Sequence, residues 1–173
     1  MRCFLAIEVP DEVKNELVRI GKEFSFSGKY VEKENLHLTL KFLGEIDEKD
    51  IAKIREKIRK IKLSSFLANL GKIGIFPSEK LIRVLWVGVE PADKVRALYE
   101  EIEKILGNKP GGFESHITLA RIKSILDKKE FLGKIKKINV KPIEFKVGEF
   151  VLKKSILTSK GSVYEDIERF ILK

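Results

Sequence analysis

The chain has 173 residues and a formal net charge of +9, with 35 Lys plus Arg against 26 Asp plus Glu, and 43% of it is apolar. That is enough chain and apolar mass for one folded domain, and it excludes disorder, collagen-like repeats and a multidomain assembly. The longest apolar stretches, such as Cys3-Phe4-Leu5-Ala6-Ile7, meet a charge well before the roughly 20 residues a membrane helix needs. The same run is too short for a secretory leader, so a cytoplasmic location and no membrane partner are expected. A single Cys offers neither an internal disulfide nor a four-thiolate zinc site. Gln is absent while Lys and Glu dominate, a bias of proteins adapted to high temperature. The positive charge suits phosphate-bearing partners held in a salt-dependent way; the plainer reading is a lysine-rich solvated surface.

In chain order, Arg2 to Val9 is an apolar run of strand length, followed by Pro10-Asp11-Glu12 and then Val13, Leu17, Ile20 and Phe24 at helical spacing. Next comes His37-Leu38-Thr39-Leu40, then a helix carrying Ile51, Ile54, Ile58 and Ile61 after Asp47, then a strand-like run from Ala68 to Phe76. The pattern then starts again. Arg83 to Val89 is a second apolar strand, Pro91-Ala92-Asp93 opens a helix with Val95, Leu98, Ile102 and Ile105, and His116-Ile117-Thr118-Leu119 repeats the tetrapeptide. A helix with Phe131, Leu132, Ile135 and Ile138 follows Asp127, then a run from Phe145 to Leu152. The closing segment with Val163, Tyr164, Ile167, Phe170 and Leu172 is expected as a strand completing the first lobe's sheet. The expected architecture is α+β, with two pseudo-symmetric sheet-and-helix lobes around a central cleft. Residues 1–173 would form a single bilobal catalytic domain whose internal repeat runs roughly over 1–82 and 83–173.

The chain holds two His and three Thr, and two of the Thr stand two positions after the two His. Chance explains that poorly. On a strand, residues i and i+2 share a face, so each His projects with its Thr while the aliphatic partners enter a core. Facing across a pseudo-two-fold, the two strands would present two imidazoles and two hydroxyls to one cavity. With an ordinary pKa near 6.5, one ring can serve as general base while the other, shifted upward by a neighbouring anion, serves as general acid. Threonine hydroxyls donate to non-bridging phosphoryl oxygens. That combination suits transfer at a phosphodiester without a metal or other cofactor. Zinc is the competing chemistry, but two His, one distant Cys and no carboxylate at ligand spacing offer too few ligands.

At these residues the chain resembles the two-histidine phosphoesterases, and within them the RNA 2′,3′-cyclic phosphodiesterases, also called 2′-5′ RNA ligases. Met1-Arg2-Cys3-Phe4-Leu5-Ala6-Ile7, Asn35 to Gly44, Ile75-Phe76-Pro77, Val84 to Val89 and His116 to Arg121 match that family's pattern in order. The resemblance implies hydrolysis of a 2′,3′-cyclic phosphate at an RNA end to a 2′-phosphomonoester, with 2′-5′ ligation as the reverse reaction. It implies His37 as proton donor to the leaving 3′ oxygen, His116 as the base that activates water, and Thr39 and Thr118 on the phosphoryl oxygens. Spacing alone does not say which His is acid and which is base.

Arg121 matches a family position that contacts phosphate, yet strict alternation from His116 would turn it to the opposite face unless the strand ends or bulges near Ala120. Lys41 shares the parity of His37 and Thr39 and is expected as a solvated strand-end lysine. Phe42 falls on the core parity, Trp86 lies in a buried-looking strand, and Phe76-Pro77 is expected in a turn that could line the cleft. Two other readings stay open: the same chemistry on a small cyclic nucleotide phosphate, and an RNA-binding module without turnover. The RNA itself, tRNA halves or other cyclic-ended fragments, is not specified, and a monomer is the default.

Overall fold

The opening apolar run forms β1 (Arg2–Glu8), whose Cys3 to Ile7 are all buried. A computed structural model describes residues 1–173. Pro10 marks the start of α1 (Asp11–Lys22), with Asp11 and Glu12 in its first turn and Arg19 and Lys22 in its last, signs that match the helix dipole. Its Val13, Leu17 and Ile20 are fully buried, each gaining about 1.5–3 kcal/mol from leaving water. The chain continues through β2 (Ser27–Tyr30), a 3₁₀ turn at Lys33–Asn35, β3 (His37–Glu45), α2 (Glu48–Ile58) and β4 (Phe66–Ser78). The second copy supplies β5 (Leu81–Glu90), α3 (Ala92–Leu106), β6 (His116–Ser124) and α4 (Lys128–Lys137). Gly107, at φ 82°, ends α3 with the Asn108 N–H returned to the Glu103 carbonyl, and the Asp127 side chain caps α4 at the Glu130 N–H. The last strands are β7 (Glu144–Val147), β8 (Glu149–Thr158) and β9 (Gly161–Ile171).

Two antiparallel sheets result, one ordered β3-β1-β8-β9 and the other β2-β6-β5-β4-β7. The closing strand β9 does lie in the sheet of β1 and β3. Sheet membership crosses the two copies of the pattern: β2 and β4 pair in the sheet of β5 and β6, and β8 pairs with β1. The apolar run expected as one strand from Phe145 to Leu152 is therefore divided at Gly148, because its two pieces pair with different sheets. The helices cross as well, α1 packing on β6 and α3 on both β5 and β3. One hydrophobic cluster runs through both sheets, from Leu5 and Ile7 to Val87, Ile102 and Ile117. No helix is long and apolar enough to cross a membrane.

The β3 and β6 strands, which carry the two His-x-Thr segments, touch each other across the two sheets. Each strand also carries a bulge at the same step. Consecutive Leu5 and Ala6 of β1 pair with Lys41 and Thr39, skipping Leu40, and consecutive Leu85 and Trp86 of β5 pair with Ala120 and Thr118, skipping Leu119. Each bulge flips the side-chain alternation beyond it.

Candidate active site

Both histidines stand at the first residue of their strand, with the aliphatic partners Leu38, Leu40, Ile117 and Leu119 buried on the opposite face. His37 Nδ1 lies 2.6 Å from the Asn35 carbonyl and His116 Nδ1 lies 2.7 Å from the Glu114 carbonyl. A carbonyl only accepts, so each Nδ1 carries the hydrogen and each Nε2 is left to gain or lose a proton. The carbonyls are themselves held. Asn35 Nδ2 donates to the Ser162 carbonyl at 2.9 Å, and buried Ser115 binds Val89 through its hydroxyl and its backbone carbonyl.

The two rings differ at Nε2. That of His37 is 2.9 Å from the Thr39 hydroxyl, whereas that of His116 makes no hydrogen bond within the protein. Aromatic walls surround each. His37 packs against Phe4 and Tyr164 at centroid distances of 5.1 and 5.4 Å, and His116 against Phe76 and Trp86 at 5.0 and 5.7 Å. Trp86 is buried as expected, with its indole lying across Gly74, where a Cβ would meet ring carbon at 2.1 Å. Phe76 is in the body of β4 rather than a turn; the hairpin reverses at Glu79 and Lys80.

Burial lowers the pKa of His37 below its ordinary value, helped by the nearby Lys153 and opposed by the bond to Asn35 and by Glu8. Burial likewise lowers His116, opposed by the bond to Glu114 and by the Glu114 carboxylate. Glu8 and Glu114 each push their ring upward, but burial outweighs them, so neither ring shows the upward shift expected for one of the two. Beneath His37, Glu8 pairs across to it on β1 and is tied 2.5 Å from Lys153, which Asp166 also binds at 2.7 Å. Burial works against the Lys153 ammonium, but those two carboxylates outweigh it and hold its pKa up.

The bulges decide three further residues. Past Leu119 the alternation flips, so Ala120 is buried and Arg121 emerges on the face of His116 and Thr118. Past Leu40 the same flip turns Lys41 away from the site, contrary to its expected parity and to a solvated role. Its ammonium lies 2.9 Å from buried Glu103 Oε1 on α3, though out of hydrogen-bond alignment. Phe42, expected in the core, is 69% exposed on the site face, its ring 6.3 Å from Phe4. Aligning the two copies would have exposed this, since Phe42 and Arg121 stand equally far beyond their histidines. The carbonyls of Asn35 and Glu114 left no sequence signal at all.

A model of the LigT-like phosphoesterase family matches the chain twice, over residues 7–86 and 87–164. A protein of Methanocaldococcus jannaschii named RNA 2′,3′-cyclic phosphodiesterase is 38% identical over 98% of this chain and 100% of its own length. One of the same name from Thermotoga maritima is 38% identical over 95% of this chain and 92% of its own. The structure of E. coli LigT complexed with 3′-AMP superposes with a TM-score of 0.79 at 26% identity, covering 99% of this chain and 97% of that one. The Thermus thermophilus protein TT0787 superposes with a TM-score of 0.78 at 33% identity, covering 99% and 98%. Several of these sources suit the heat-adapted composition noted above. Matched along both copies of its repeat and by relatives over nearly its full length, the chain belongs to the LigT-like phosphoesterase family.

Proposed function

We propose that the protein hydrolyses RNA 2′,3′-cyclic phosphate ends to 2′-phosphomonoesters by paired-histidine acid/base catalysis. The observation that supports it is the duplicated arrangement of the rings: two imidazoles on strands that meet across the sheets, each with Nδ1–H given to a backbone carbonyl and Nε2 left for proton transfer. Relatives named RNA 2′,3′-cyclic phosphodiesterase support the substrate class.

In this reading neutral His116 takes a proton from water at Nε2 as the water oxygen bonds to phosphorus. The bond from phosphorus to the 3′ oxygen breaks, and protonated His37 gives its Nε2 hydrogen to that oxygen. The products are a 2′-phosphate and a 3′ hydroxyl, and the protons return to their starting rings through solvent. Thr39, Thr118 and Arg121 hold the phosphoryl oxygens, the first two as neutral donors and the third as a fixed charge. The substrate's own phosphodiester anion supplies the upward pKa shift that one ring needs. With a 5′ hydroxyl in place of water the same step forms a 2′-5′ linkage, His116 taking the hydroxyl proton and His37 again protonating the 3′ oxygen; cleavage of that linkage back to the cyclic phosphate exchanges the two roles. The protein would act as a monomer in the cytoplasm.

The test is incubation with a short RNA ending in a 2′,3′-cyclic phosphate, in chelator, with 2′- and 3′-phosphate products resolved. Exclusive 2′-phosphate is expected, with His37→Ala and His116→Ala each slower by about 10²–10⁴-fold. Turnover that survives both substitutions, or that chelator abolishes and zinc restores, would overturn the mechanism. RNA bound but left intact by the native chain would favour a binding module.

A further inference from the structure

We propose that an open basic groove at the outer end of β6 holds the sugar-phosphate backbone of the RNA on the 5′ side of its cyclic end, making the enzyme selective for polynucleotides over cyclic mononucleotides. This rests on the activity proposed above. The groove, of about 600 Å³, is lined by Lys29, Arg83, Arg121 and Lys123, with Ile122 its one apolar side chain. All four cations are exposed, and none of them pairs with a carboxylate.

That absence is informative for the two arginines, because most arginines elsewhere in the chain are paired. Arg19, Arg55, Arg59, Arg96 and Arg169 each meet a carboxylate. Of the chain's eight arginines, the remaining three are Arg2, Arg83 and Arg121, and two of those three line the groove. Lys29 and Arg121 are direct cross-strand partners between β2 and β6. Like charges opposite one another weaken a sheet, so this pair is explained by an anion that binds between them.

The backbone builds the groove deliberately. At Gly28, with φ 155°, a Cβ would meet the Arg121 carbonyl at 2.2 Å, so glycine is what lets β2 close on β6 there. A bulge at Arg83, skipped where Pro77 pairs with Ile82 and Phe76 with Val84, brings it out beside β6, where its Nη1 donates to the Lys123 carbonyl at 2.7 Å. Along the site face of β6 the order is then His116, Thr118, Arg121 and Lys123. Alternate residues of a strand repeat every ~6.6 Å, a step comparable to that between phosphates of an extended RNA strand. The scissile phosphate at Thr118 and Arg121 and the next phosphate at Lys123 would follow one line, flanked by Lys29 and Arg83.

The experiment compares kcat/KM for 2′,3′-cyclic AMP with that for an octanucleotide ending in a 2′,3′-cyclic phosphate, across a salt series, in the native chain and in Lys29→Glu/Lys123→Glu. A parallel arm measures binding of a fluorescein-labelled octanucleotide with a 3′-phosphate. The octanucleotide should be preferred at least tenfold at low salt, with a log–log salt slope steeper by about 0.7 per added phosphate contact. The double variant should bring that preference close to unity and weaken octanucleotide binding at least tenfold; Lys29→Gln/Lys123→Gln should do the same to a lesser degree. Equal rates and equal salt slopes on the two substrates in the native chain would overturn the groove while leaving the activity intact. If neither substrate is cleaved, the activity reading fails, and the binding arm still decides: octanucleotide bound no more tightly than 3′-AMP, or displaced equally by an acidic peptide of the same charge, overturns the proposal.

Discussion

Phe42 and Arg121 occupy the same step of the two repeated strands, each just past a bulge, at Leu40 and at Leu119. One copy thus places an aromatic ring on the site face and the other a guanidinium, although the strands leading to them carry the same His-x-Thr pattern. The two halves present the same imidazole and hydroxyl pair and a different side chain beyond it.

An exposed Phe beside Phe4, which itself packs on His37, has little to do for the fold and a ring face available to a nucleobase. Phe42→Ala is expected to leave thermal stability within about 0.5 kcal/mol, as for other exposed positions, and to weaken binding of a nucleotide by about 1–3 kcal/mol through lost stacking. The measurement is KM for a cyclic-ended RNA alongside a melting curve, with Phe42→Tyr as the conservative control. A large loss of stability with KM unchanged would return Phe42 to the core.

Because burial lowers both imidazoles, the free enzyme holds one ring protonated and one neutral only on the acid side of about pH 6.5. The kcat/KM profile, which reports the free enzyme, should be bell-shaped with its maximum below that value. The kcat profile should lie higher in pH, since the bound phosphodiester anion raises the ring it faces. A kcat/KM maximum at or above pH 8, or a flat profile from pH 5 to 8, would contradict this.

Lys41 and Glu103 test the bulge directly. Lys41→Met leaves the Glu103 carboxylate buried without its cation and should cost about 2–4 kcal/mol, lowering Tm by several degrees. The further change Glu103→Leu should recover most of that loss. Since Lys41 points away from the histidines, kcat/KM measured well below Tm should match the native value. Loss of turnover without loss of stability would place Lys41 in the site after all.

Acid should destabilise the fold in two stages. His37 and His116 have folded pKa values below the unfolded value near 6.5, so the unfolded chain binds more protons there and stability falls as pH drops through that window. Glu8, Asp166 and Glu168 are held below the ordinary carboxylate range, where burial alone would raise them, by Lys153, Arg169, Arg55 and Arg59. Their contribution is complete above about pH 4.5 and is lost as pH falls through their folded values. Calorimetry from pH 8 to 3 should show both declines, with His37→Asn/His116→Asn removing the upper one. A Tm that climbs between pH 7 and 5 would contradict the sign.

The repeated strand, helix and His-x-Thr pattern was legible because it depends on local periodicity: apolar spacing marks which face of β1, α1, β5 and α3 is buried, whatever they pack against. That each His shares a strand face with its Thr followed from strand parity for the same reason, although only His37 is hydrogen-bonded to its Thr. What parity could not supply was the residue at which alternation breaks. The bulges at Leu40 and Leu119 arise from register against β1 and β5, a non-local relation, and they alone send Arg121 and Phe42 to the site and Lys41 to Glu103. Strand β2 was equally hidden, since Ser-Gly-Lys-Tyr has no buried face and exists as a strand only by pairing with β6. The histidines and threonines of the candidate site were thus legible in the sequence itself, while the tertiary structure decided which other side chains share their face, because register and strand exchange between the halves are settled only when the sheets form.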